Sequence, residues 1–359
     1  MLRKWRIRTP SEAERSGKAG RGSNATDMDF TKIAAIAGGH AEARALQTAT
    51  RLGLFDALAA GPRDGDSLAD ALGCDRRATA LLADALVALE VLRKSIGEYV
   101  LGEAAARYLV ASSPEYLGGM ILFDGALWDE WGRLEKALRT GQPVRPPDMF
   151  QTDPAATERF IRAMDSLVRA RGDAVWTAAH LDLSRARTIV DLGGGPGTYL
   201  VEFLRRWPHL RGEIWDLPAT LEVARRILAE RAPELRARIE LCAVDYRAGD
   251  LPHPVDAVFL SNIIHSEDEP TNAHLMRSCW RALNPGGIIA IKDHVMDDSM
   301  TAPAAGAVFS LYLLLTTRGR DYSFAEIARW LAAAGFDPPR VTALPSPPFS
   351  SSIVTAVRR

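Results

Sequence analysis

The stretch TIVDLGGGPGTYLVEF, residues 188–203, decides how the rest of the chain is interpreted. It consists of an apolar run, then Asp191, then a cluster of glycines, then a helical pattern. A glycine-rich turn that joins a strand to a helix points backbone N–H groups at a ligand, so nucleotide-like molecules are the first candidates. The stretch therefore predicts a strand, a ligand-binding turn and a helix.

The same alternation of strand and helix continues to the end of the chain. After Ser184, helical patterns at 198–206, 219–231 and 270–283 separate the apolar runs TIVDL, GEIWDL, IELCAV, DAVFLSNII and GIIAIKD. This order predicts a parallel sheet that is covered by helices on both faces. Two further strands, near 340–344 and 351–357, are expected to close the sheet as an antiparallel pair.

The glycine cluster departs from the nucleotide-binding motifs that it first suggests. Counted from Gly193 or from Gly195, the third glycine position of G-x-G-x-x-G is occupied by Thr198 or Leu200, so the dinucleotide pattern fails. No G-K-[ST] follows, which excludes a P-loop. Asp191 would repel a pyrophosphate but would suit a ligand that carries an ammonium group. S-adenosylmethionine is such a ligand.

Two more acids follow the next two strands. Asp216 ends the second strand, where a carboxylate can accept hydrogen bonds from both ribose hydroxyls. Asp245 closes the third strand beside Tyr246, and this pair could hold the adenine amine and stack on the ring. Three acids after three successive strands, the first in a D-x-G-G-G-x-G motif, predict an S-adenosylmethionine site.

Composition excludes several classes of protein. The chain has 359 residues, and its formal net charge of -1 gives no global attraction to nucleic acid or to an anionic membrane. Cys74, Cys242 and Cys279 are far apart and form no C-x-x-C pair, which favours a reducing, cytoplasmic compartment and no cysteine-based metal site. No apolar run is long enough to span a membrane.

The amino-terminal part divides into a basic tail and a helical domain. Residues 1–27 are predicted to be a disordered tail, with a targeting peptide or an extension upstream of a start at Met28 as alternatives. Residues 28–110 are predicted to form a helical domain. Its first part is expected to carry a largely buried apolar stripe that ends at Gly61, formed by Leu46, Ala49, Leu52, Leu54 and Leu58.

Residues 66–109 have the order of a winged helix. A helix, a glycine-containing turn and a second helix precede a hairpin around Ser95–Gly97. The second helix offers only Arg76 and Arg77 as cations and is flanked or interrupted by Asp75 and Asp84. A packing or dimerisation module is therefore favoured over a DNA-binding one.

Residues 111–183 are predicted to be a helical linker and substrate-pocket region. They carry many aromatic and methionine side chains, which could form a core or the walls of a pocket for a flat apolar ligand. A surface loop is expected at 141–148.

Taken together, these motifs resemble the class I S-adenosylmethionine-dependent O-methyltransferases of the caffeic acid and acetylserotonin type. DLGGGPG, DLP, NIIHSEDEP, LNPGGIIAIKD and GRDYSFAEIARWLAAAGF fall in the family's order, and the resemblance covers roughly residues 30–359. It implies an α/β fold with a Rossmann-like seven-stranded methyltransferase sheet at 184–359 and an N-terminal all-α winged-helix dimerisation domain. It also implies a homodimer with interlocked helical domains.

The resemblance also implies roles for individual residues. His265 takes the place of the family's general base, with Asp293 and Asp321 at the positions of the acids that orient it, and His294 is its only competitor. The family's H-D-W triplet is here His265-Ser266-Glu267, which leaves the substrate subclass open. The predicted cofactor-binding residues are Asp191, Gly193, Gly195, Asp216, Leu217, Asp245, Tyr246 and Ser261, the last replacing a lysine of plant members.

Three functions remain open at this point. The first is methyl transfer from S-adenosylmethionine to a hydroxyl of a small aromatic or polyketide-like acceptor. The second is a family member that binds S-adenosylmethionine but catalyses C-methylation, hydroxylation or decarboxylation, as the altered H-S-E triplet allows. The third, a DNA-binding regulator, is disfavoured by the intact glycine loop.

Overall fold

A seven-stranded sheet, two two-stranded sheets and fifteen α-helices are the main elements of the part of the chain that the structure describes, residues 29–148, 150–344 and 351–359 of a computed structural model. The predicted tail at 1–27 lies outside these residues. The helices are α1 Phe30–Leu52, α2 Leu54–Ala59, α3 Gly65–Leu72, α4 Arg76–Ala88, α5 Glu103–Leu109, α6 Gly118–Ala126, α7 Trp128–Trp131, α8 Leu134–Thr140, α9 Pro154–Arg171, α10 Asp173–His180, α11 Thr198–Arg206, α12 Pro218–Arg231, α13 Glu269–Ala282, α14 Ala304–Thr316 and α15 Phe324–Ala334. The strands are β1 Leu92–Ser95, β2 Glu98–Leu101, β3 Thr188–Leu192, β4 Arg211–Asp216, β5 Ile239–Ala243, β6 Val255–Ser261, β7 Leu283–Asp293, β8 Val295–Met296, β9 Tyr322–Ser323, β10 Arg340–Leu344 and β11 Ser351–Val357.

The large sheet has the order β10-β11-β7-β6-β3-β4-β5. Its five strands from β3 to β7 are parallel, whereas β11 runs antiparallel to β7 and to β10. The predicted parallel sheet with an antiparallel pair at its edge is thereby confirmed. The chain leaves β3 toward β4 and β5 and then returns to the other side of β3 with β6. This reversal opens a crevice at the carboxyl ends of β3 and β6, where ligands bind in folds of this class.

Strand β3 shows why the sheet is covered on both faces. Successive side chains of a strand point to opposite faces, so Ile189 packs into the core on one side and Val190 into the core on the other. Both are fully buried, as is Leu192. A continuous apolar run is what a parallel strand between two helical layers requires.

The predicted winged-helix order is present in the amino-terminal domain. Asp64 and Asp75 cap α3 and α4 by accepting hydrogen bonds from the backbone N–H groups of Ser67 and Ala78. Strands β1 and β2 form a two-residue hairpin whose turn residues both have positive φ, as a type I′ turn requires. The domain is therefore helical apart from this one hairpin.

The predicted buried stripe in 46–58 is wrong at Leu52, which is 40% exposed. The helix is interrupted at Gly53, whose φ of 74° is left-handed, so α1 and α2 do not share one helical phase. Ala49, Leu54 and Leu58 are buried as expected. A helical periodicity that is extended through the break at Gly53 therefore assigns the wrong burial to Leu52, the residue before it.

The chain divides into two compact units, and the described part of the first is residues 29–43, the beginning of α1. This segment exposes three large apolar side chains, Phe30 (85%), Ile33 (55%) and Ile36 (69%). Residues 44–359 form the second unit, which contains the whole sheet. Over the described residues, the helices are each too short or too polar to cross a membrane.

Candidate active site

The glycine loop after β3 is fixed against the neighbouring strand. The N–H of Gly193 donates to the carbonyl of Trp215 at 2.7 Å. Gly193 has a φ of 67°, and a Cβ at this position would lie 2.2 Å from Cδ1 of Ile263. A side chain here would therefore meet both backbone strain and a steric clash. The glycine is required by the loop geometry whatever the ligand.

This loop forms one wall of a cleft at the carboxyl ends of the parallel strands. The cleft has a volume of about 1070 Å³, including the space open to solvent. All eight predicted cofactor residues line it, namely Asp191, Gly193, Gly195, Asp216, Leu217, Asp245, Tyr246 and Ser261. Helix α9 supplies apolar side chains to the same cleft, Phe160, Ile161, Met164, Leu167 and Val168.

Asp191 is the most deeply buried acid of the cleft. It is 1% exposed, and its Oδ2 has no hydrogen-bond partner among the described residues. Burial, together with the charge of Asp216, raises the pKa of Asp191 to about 8. A buried carboxylate oxygen without a donor is costly, so the site fits a ligand that brings a cationic N–H group to this atom.

Asp216 is held in place by the backbone. Its Oδ2 accepts a hydrogen bond from the N–H of Gly195 at 2.8 Å, and its Oδ1 accepts one from the N–H of Leu217 at 2.7 Å. Burial raises the pKa of Asp216 to about 6 even though these bonds act in the opposite direction. Each oxygen retains a lone pair that can accept a hydrogen bond from a hydroxyl group of a ligand.

Glu267 holds Tyr246 and Arg247 in place at the cleft, a role that the sequence did not reveal. Its Oε1 accepts hydrogen bonds from the Tyr246 hydroxyl at 2.7 Å and from Arg247 Nε at 2.8 Å. Glu267 is only 6% exposed. Burial, with the Glu267 charge, raises the pKa of Tyr246 well above its ordinary value. The glutamate that departs from the family's triplet therefore positions the predicted stacking tyrosine.

His265 lies on a short 3₁₀ turn after β6, and the turn is rigidly held. Nδ2 of Asn272 donates to the carbonyls of Ile264 at 2.8 Å and of Glu267 at 3.2 Å. A Cβ on Gly319 would lie 2.2 Å from the His265 carbonyl oxygen, so only glycine permits this close approach. Residues on both sides of the histidine, Ile263 and Ser266, line the cleft.

The His265 ring is oriented by carboxylates. Nδ1 lies 2.7 Å from Oδ1 of Asp293, a hydrogen bond, and 4.0 Å from Oδ1 of Asp321, too far for one. Burial alone lowers the pKa of His265, but the charge and hydrogen bond of Asp293 and the charge of Asp321 outweigh it, and the pKa is raised. Asp293, at the end of β7, therefore contacts the histidine directly, whereas Asp321, which precedes α15, does not.

A second histidine stands beside the first. His294 Nδ1 lies 3.4 Å from Oδ2 of Asp321, and the His294 backbone N–H donates to Asp293 at 2.9 Å. The Phe309 ring meets both imidazoles edge-on, with centroid distances of 5.2 Å to His265 and 5.1 Å to His294. His265, Asp293 and Asp321 are buried and offer ligand atoms within 4.8 Å of one another.

Aromatic side chains from the helical region gather next to the cleft. The rings of Phe123, Phe150 and Phe160 have centroid separations of 5.2 to 6.0 Å. Met164 and Tyr312 pack against the same cluster. Since Phe160 and Met164 also line the cleft, the cluster adjoins the predicted cofactor site.

Comparison with known proteins identifies the family. A model of the O-methyltransferase domain matches residues 140–337, and a model of the O-methyltransferase dimerisation domain matches residues 34–111. The 3-hydroxy-5-methyl-1-naphthoate 3-O-methyltransferase of Streptomyces sahachiroi is 36% identical over 325 residues, which cover 88% of this chain and 92% of that protein.

Two further relatives agree with this result. The tetracenomycin polyketide synthesis 8-O-methyl transferase TcmO of Streptomyces glaucescens is 34% identical over 311 residues, covering 85% of this chain and 90% of that protein. The crystal structure of CalO1, a methyltransferase in calicheamicin biosynthesis solved in its SAH-bound form, is 26% identical with a TM-score of 0.75 and covers 93% of this chain and all of that one. The chain therefore belongs to the S-adenosylmethionine-dependent O-methyltransferases, and it is an enzyme of that family with its own dimerisation domain.

Proposed function

We propose that this enzyme methylates a hydroxyl group of a small aromatic or polyketide-like acceptor, with His265 as the general base. The observation that carries the proposal is the 2.7 Å contact between His265 Nδ1 and Asp293 on a turn whose flanking residues line the cofactor cleft. This contact commits one ring nitrogen and leaves Nε2 to accept a proton.

The cofactor roles follow from the cleft. The unpartnered Oδ2 of Asp191 suits the ammonium group of S-adenosylmethionine, and the Asp216 carboxylate suits the two ribose hydroxyls. Asp245 and Tyr246 line the same cleft, and an acid beside an aromatic ring suits the amine and the ring of adenine. The remaining contacts are assigned to the loop glycines Gly193 and Gly195, to Leu217 and to Ser261.

When bound, the cofactor supplies a methyl group already activated on a sulfonium. The protein then has to hold the acceptor oxygen in line with that group and to remove its proton. His265 Nε2 takes the proton, and Asp293 fixes the tautomer through Nδ1 and stabilises the imidazolium that forms. Asp321, at 4.0 Å, contributes its charge rather than a hydrogen bond.

We assign the His265, Asp293 and Asp321 cluster to proton transfer rather than to a metal. The 2.7 Å separation of Nδ1 and Oδ1 is an ordinary charge-assisted hydrogen-bond length. The His265 imidazole and the Asp293 carboxylate therefore satisfy each other by a direct hydrogen bond, with no ion between them.

The acceptor class rests on two observations. Relatives at 36% and 34% identity are named as O-methyltransferases of a hydroxynaphthoate and of a polyketide. The cluster of Phe123, Phe150 and Phe160 beside the cleft suits a flat aromatic molecule, which stacks on such rings. No feature of the site favours C-methylation, hydroxylation or decarboxylation over methyl transfer to oxygen.

We also propose that the enzyme is a cytoplasmic homodimer. The match to a dimerisation domain and the exposed apolar side chains of residues 29–43 support the dimer. All three cysteines are free thiols, which suits a reducing compartment. Arg76, one of the two cations of α4, is paired with Asp66 and Asp70, which leaves little basic surface for DNA.

The proposal is tested with S-adenosylmethionine carrying an isotopically labelled methyl group. Incubation with a panel of phenols, hydroxynaphthalenes and anthracenols, followed by mass spectrometry, is expected to give a product in which the label is on oxygen. Label on carbon, or an acceptor that is hydroxylated or decarboxylated without taking up label, would contradict methyl transfer to a hydroxyl.

A further inference from the structure

Arg145 is a cation with no acceptor inside the described protein. Its Nε is buried and has no hydrogen-bond partner, and neither a hydrogen bond nor an ion pair joins its guanidinium to any residue that the structure describes. The guanidinium carbon lies 3.9 Å from the centroid of the Phe150 ring. A buried N–H without an acceptor costs free energy, so this side chain is arranged for a group from outside the chain.

The loop that carries Arg145 is anchored, so the position of the side chain is defined. The backbone N–H of the preceding residue, Val144, donates to the carbonyl of Leu315 at 2.9 Å. Arg133 donates to the Val144 carbonyl, and Val144 itself is buried. Arg145 is thereby fixed to α14, the helix that also carries Phe309 and Tyr312.

A chain of aromatic contacts connects Arg145 with the general base on one side. The Phe309 ring packs against His265 at 5.2 Å and against Tyr312 at 5.3 Å. Tyr312 packs against the same hydrophobic cluster as Phe150, the ring on which the Arg145 guanidinium lies. Burial raises the pKa of Tyr312, and the charge of Arg145 acts in the opposite direction. Arg145 therefore lies along the aromatic wall that begins at His265.

A second chain of contacts connects Arg145 with the cofactor cleft. Phe150, on which the guanidinium stacks, lies 5.2 Å from Phe160, and Phe160 lines the cleft. The apolar surroundings of Asp124 raise the pKa of that acid to about 6, and it forms no ion pair with Arg145. No described carboxylate forms a hydrogen bond or an ion pair with the cation beside the aromatic cluster.

We propose that Arg145 binds a carboxylate group of the aromatic acceptor and so selects hydroxyarene carboxylates as substrates. The proposal rests on the function proposed above, because it names the substrate class of that site. A guanidinium presents a planar fork of N–H donors that matches a carboxylate in two hydrogen bonds, and its face stays free to stack on Phe150. The carboxylate would supply the acceptor that Nε lacks.

The test compares each acid with its neutral carboxamide. Calorimetry on the protein loaded with S-adenosylhomocysteine measures the binding of hydroxybenzoate, 3-hydroxy-1-naphthoate and a hydroxyanthracene carboxylate, and of the three amides. For at least one ring size, the wild type is expected to bind the acid about ten- to a hundredfold more tightly than its amide, because a charged hydrogen-bonded pair contributes a gain of this size. Arg145→Met should abolish this preference and leave the amide's affinity within about twofold.

Two further variants separate recognition from structure. Arg139→Met removes one positive charge from the exposed pair with Glu135 and should keep the full preference. Arg145→Lys keeps the positive charge but not the planar fork of N–H donors, so it should keep part of the preference for the acid. Equal losses for acid and amide in Arg145→Met, no preference in the wild type, or no binding of any acid would overturn the proposal. Methyl transfer is followed separately with labelled cofactor, so an enzyme that binds the acids but methylates no hydroxyl would contradict only the proposed function.

Discussion

In the proposed mechanism, one ring nitrogen of His265 orients the ring and the other takes the proton. Because Nδ1 is 2.7 Å from Asp293, we expect the ring to be held in one tautomer, with Nε2 as the proton acceptor. The raised pKa strengthens the base but also means that the ring must lose a proton before it can act. Both consequences can be measured at the level of single residues.

His265→Ala is expected to lower turnover on a neutral phenol by about a hundred- to ten-thousand-fold, the range for a positioned general base. Cofactor affinity should change by less than about twofold, because the assigned cofactor contacts lie on other residues. Steady-state kinetics and calorimetry measure the two effects. His180→Ala, which replaces an exposed histidine, serves as the control. Wild-type turnover in His265→Ala would exclude it as the base.

The pH dependence tests the role of Asp293. For the wild type, kcat/KM should fall as the pH drops through the raised pKa of His265, that is, above the ordinary histidine value of about 6.5. Asp293→Asn removes the main group that raises this pKa, while burial still lowers it, so the acid limb should move to lower pH. A limb that stays in place would show that another group titrates.

Cofactor binding should release a proton from Asp191. Its pKa of about 8 in the free protein means that it is mostly protonated at pH 7, whereas an ammonium ligand requires the carboxylate. Calorimetry in buffers of different ionisation enthalpy is expected to show release of about one proton, and affinity should rise between pH 6 and 8. The free protein should instead lose stability as the pH rises from about 4 to about 8, because over this range the acid ionises in the unfolded chain but stays protonated in the folded one. Asp191→Asn should bind the cofactor weakly and release no proton. Asp298→Asn, at an exposed aspartate that does not line the cleft, should behave as wild type.

At the scale of elements, the loop after β3 depends on glycine for its conformation. Gly193→Ala places a Cβ at a φ of 67° and 2.2 Å from Ile263 Cδ1. We expect a loss of about 1 to 3 kcal/mol in the free energy of unfolding, as strained backbone positions show, together with weaker cofactor binding. Gly249→Ala is the matched control, since a Cβ there meets nothing within 4 Å. Thermal unfolding with and without cofactor measures both, and a fully stable Gly193→Ala would contradict the strain argument.

Elements built from local patterns could be predicted from the sequence, and contacts between distant residues could not. The strands 340–344 and 351–357 have the predicted bounds, since alternation and turn residues are local signals. Leu52 was misplaced because the break at Gly53 changes the helical phase. The contacts of Glu267 join it to side chains 20 or more residues away in the sequence, which no local spacing reveals. The role proposed for Arg145 depends on the absence of a hydrogen-bond partner, which only the structure shows.

For the molecule as a whole, the two compact units have different surfaces. Residues 44–359 contain the sheet, the cleft and the aromatic cluster, and bury most of their large apolar side chains. Residues 29–43 do the opposite, with Phe30, Ile33 and Ile36 exposed at a spacing of three residues on one face of α1. An exposed apolar face on a helix that continues into the matched dimerisation domain, residues 34–111, is expected to be covered by a second copy.

This expectation gives a prediction about assembly. Analytical ultracentrifugation of the wild type should show a dimer at micromolar concentration. Ile33→Asp combined with Ile36→Asp places two charges in the proposed interface, where an unpaired buried charge is strongly unfavourable, so the variant should sediment as a monomer. Thr31→Asp adds a charge to the opposite face of the same helix and should remain dimeric, because that face needs no partner. A dimer that survives the double substitution would place the interface elsewhere, and a wild-type monomer would show that the exposed face of α1 is not covered by a second copy.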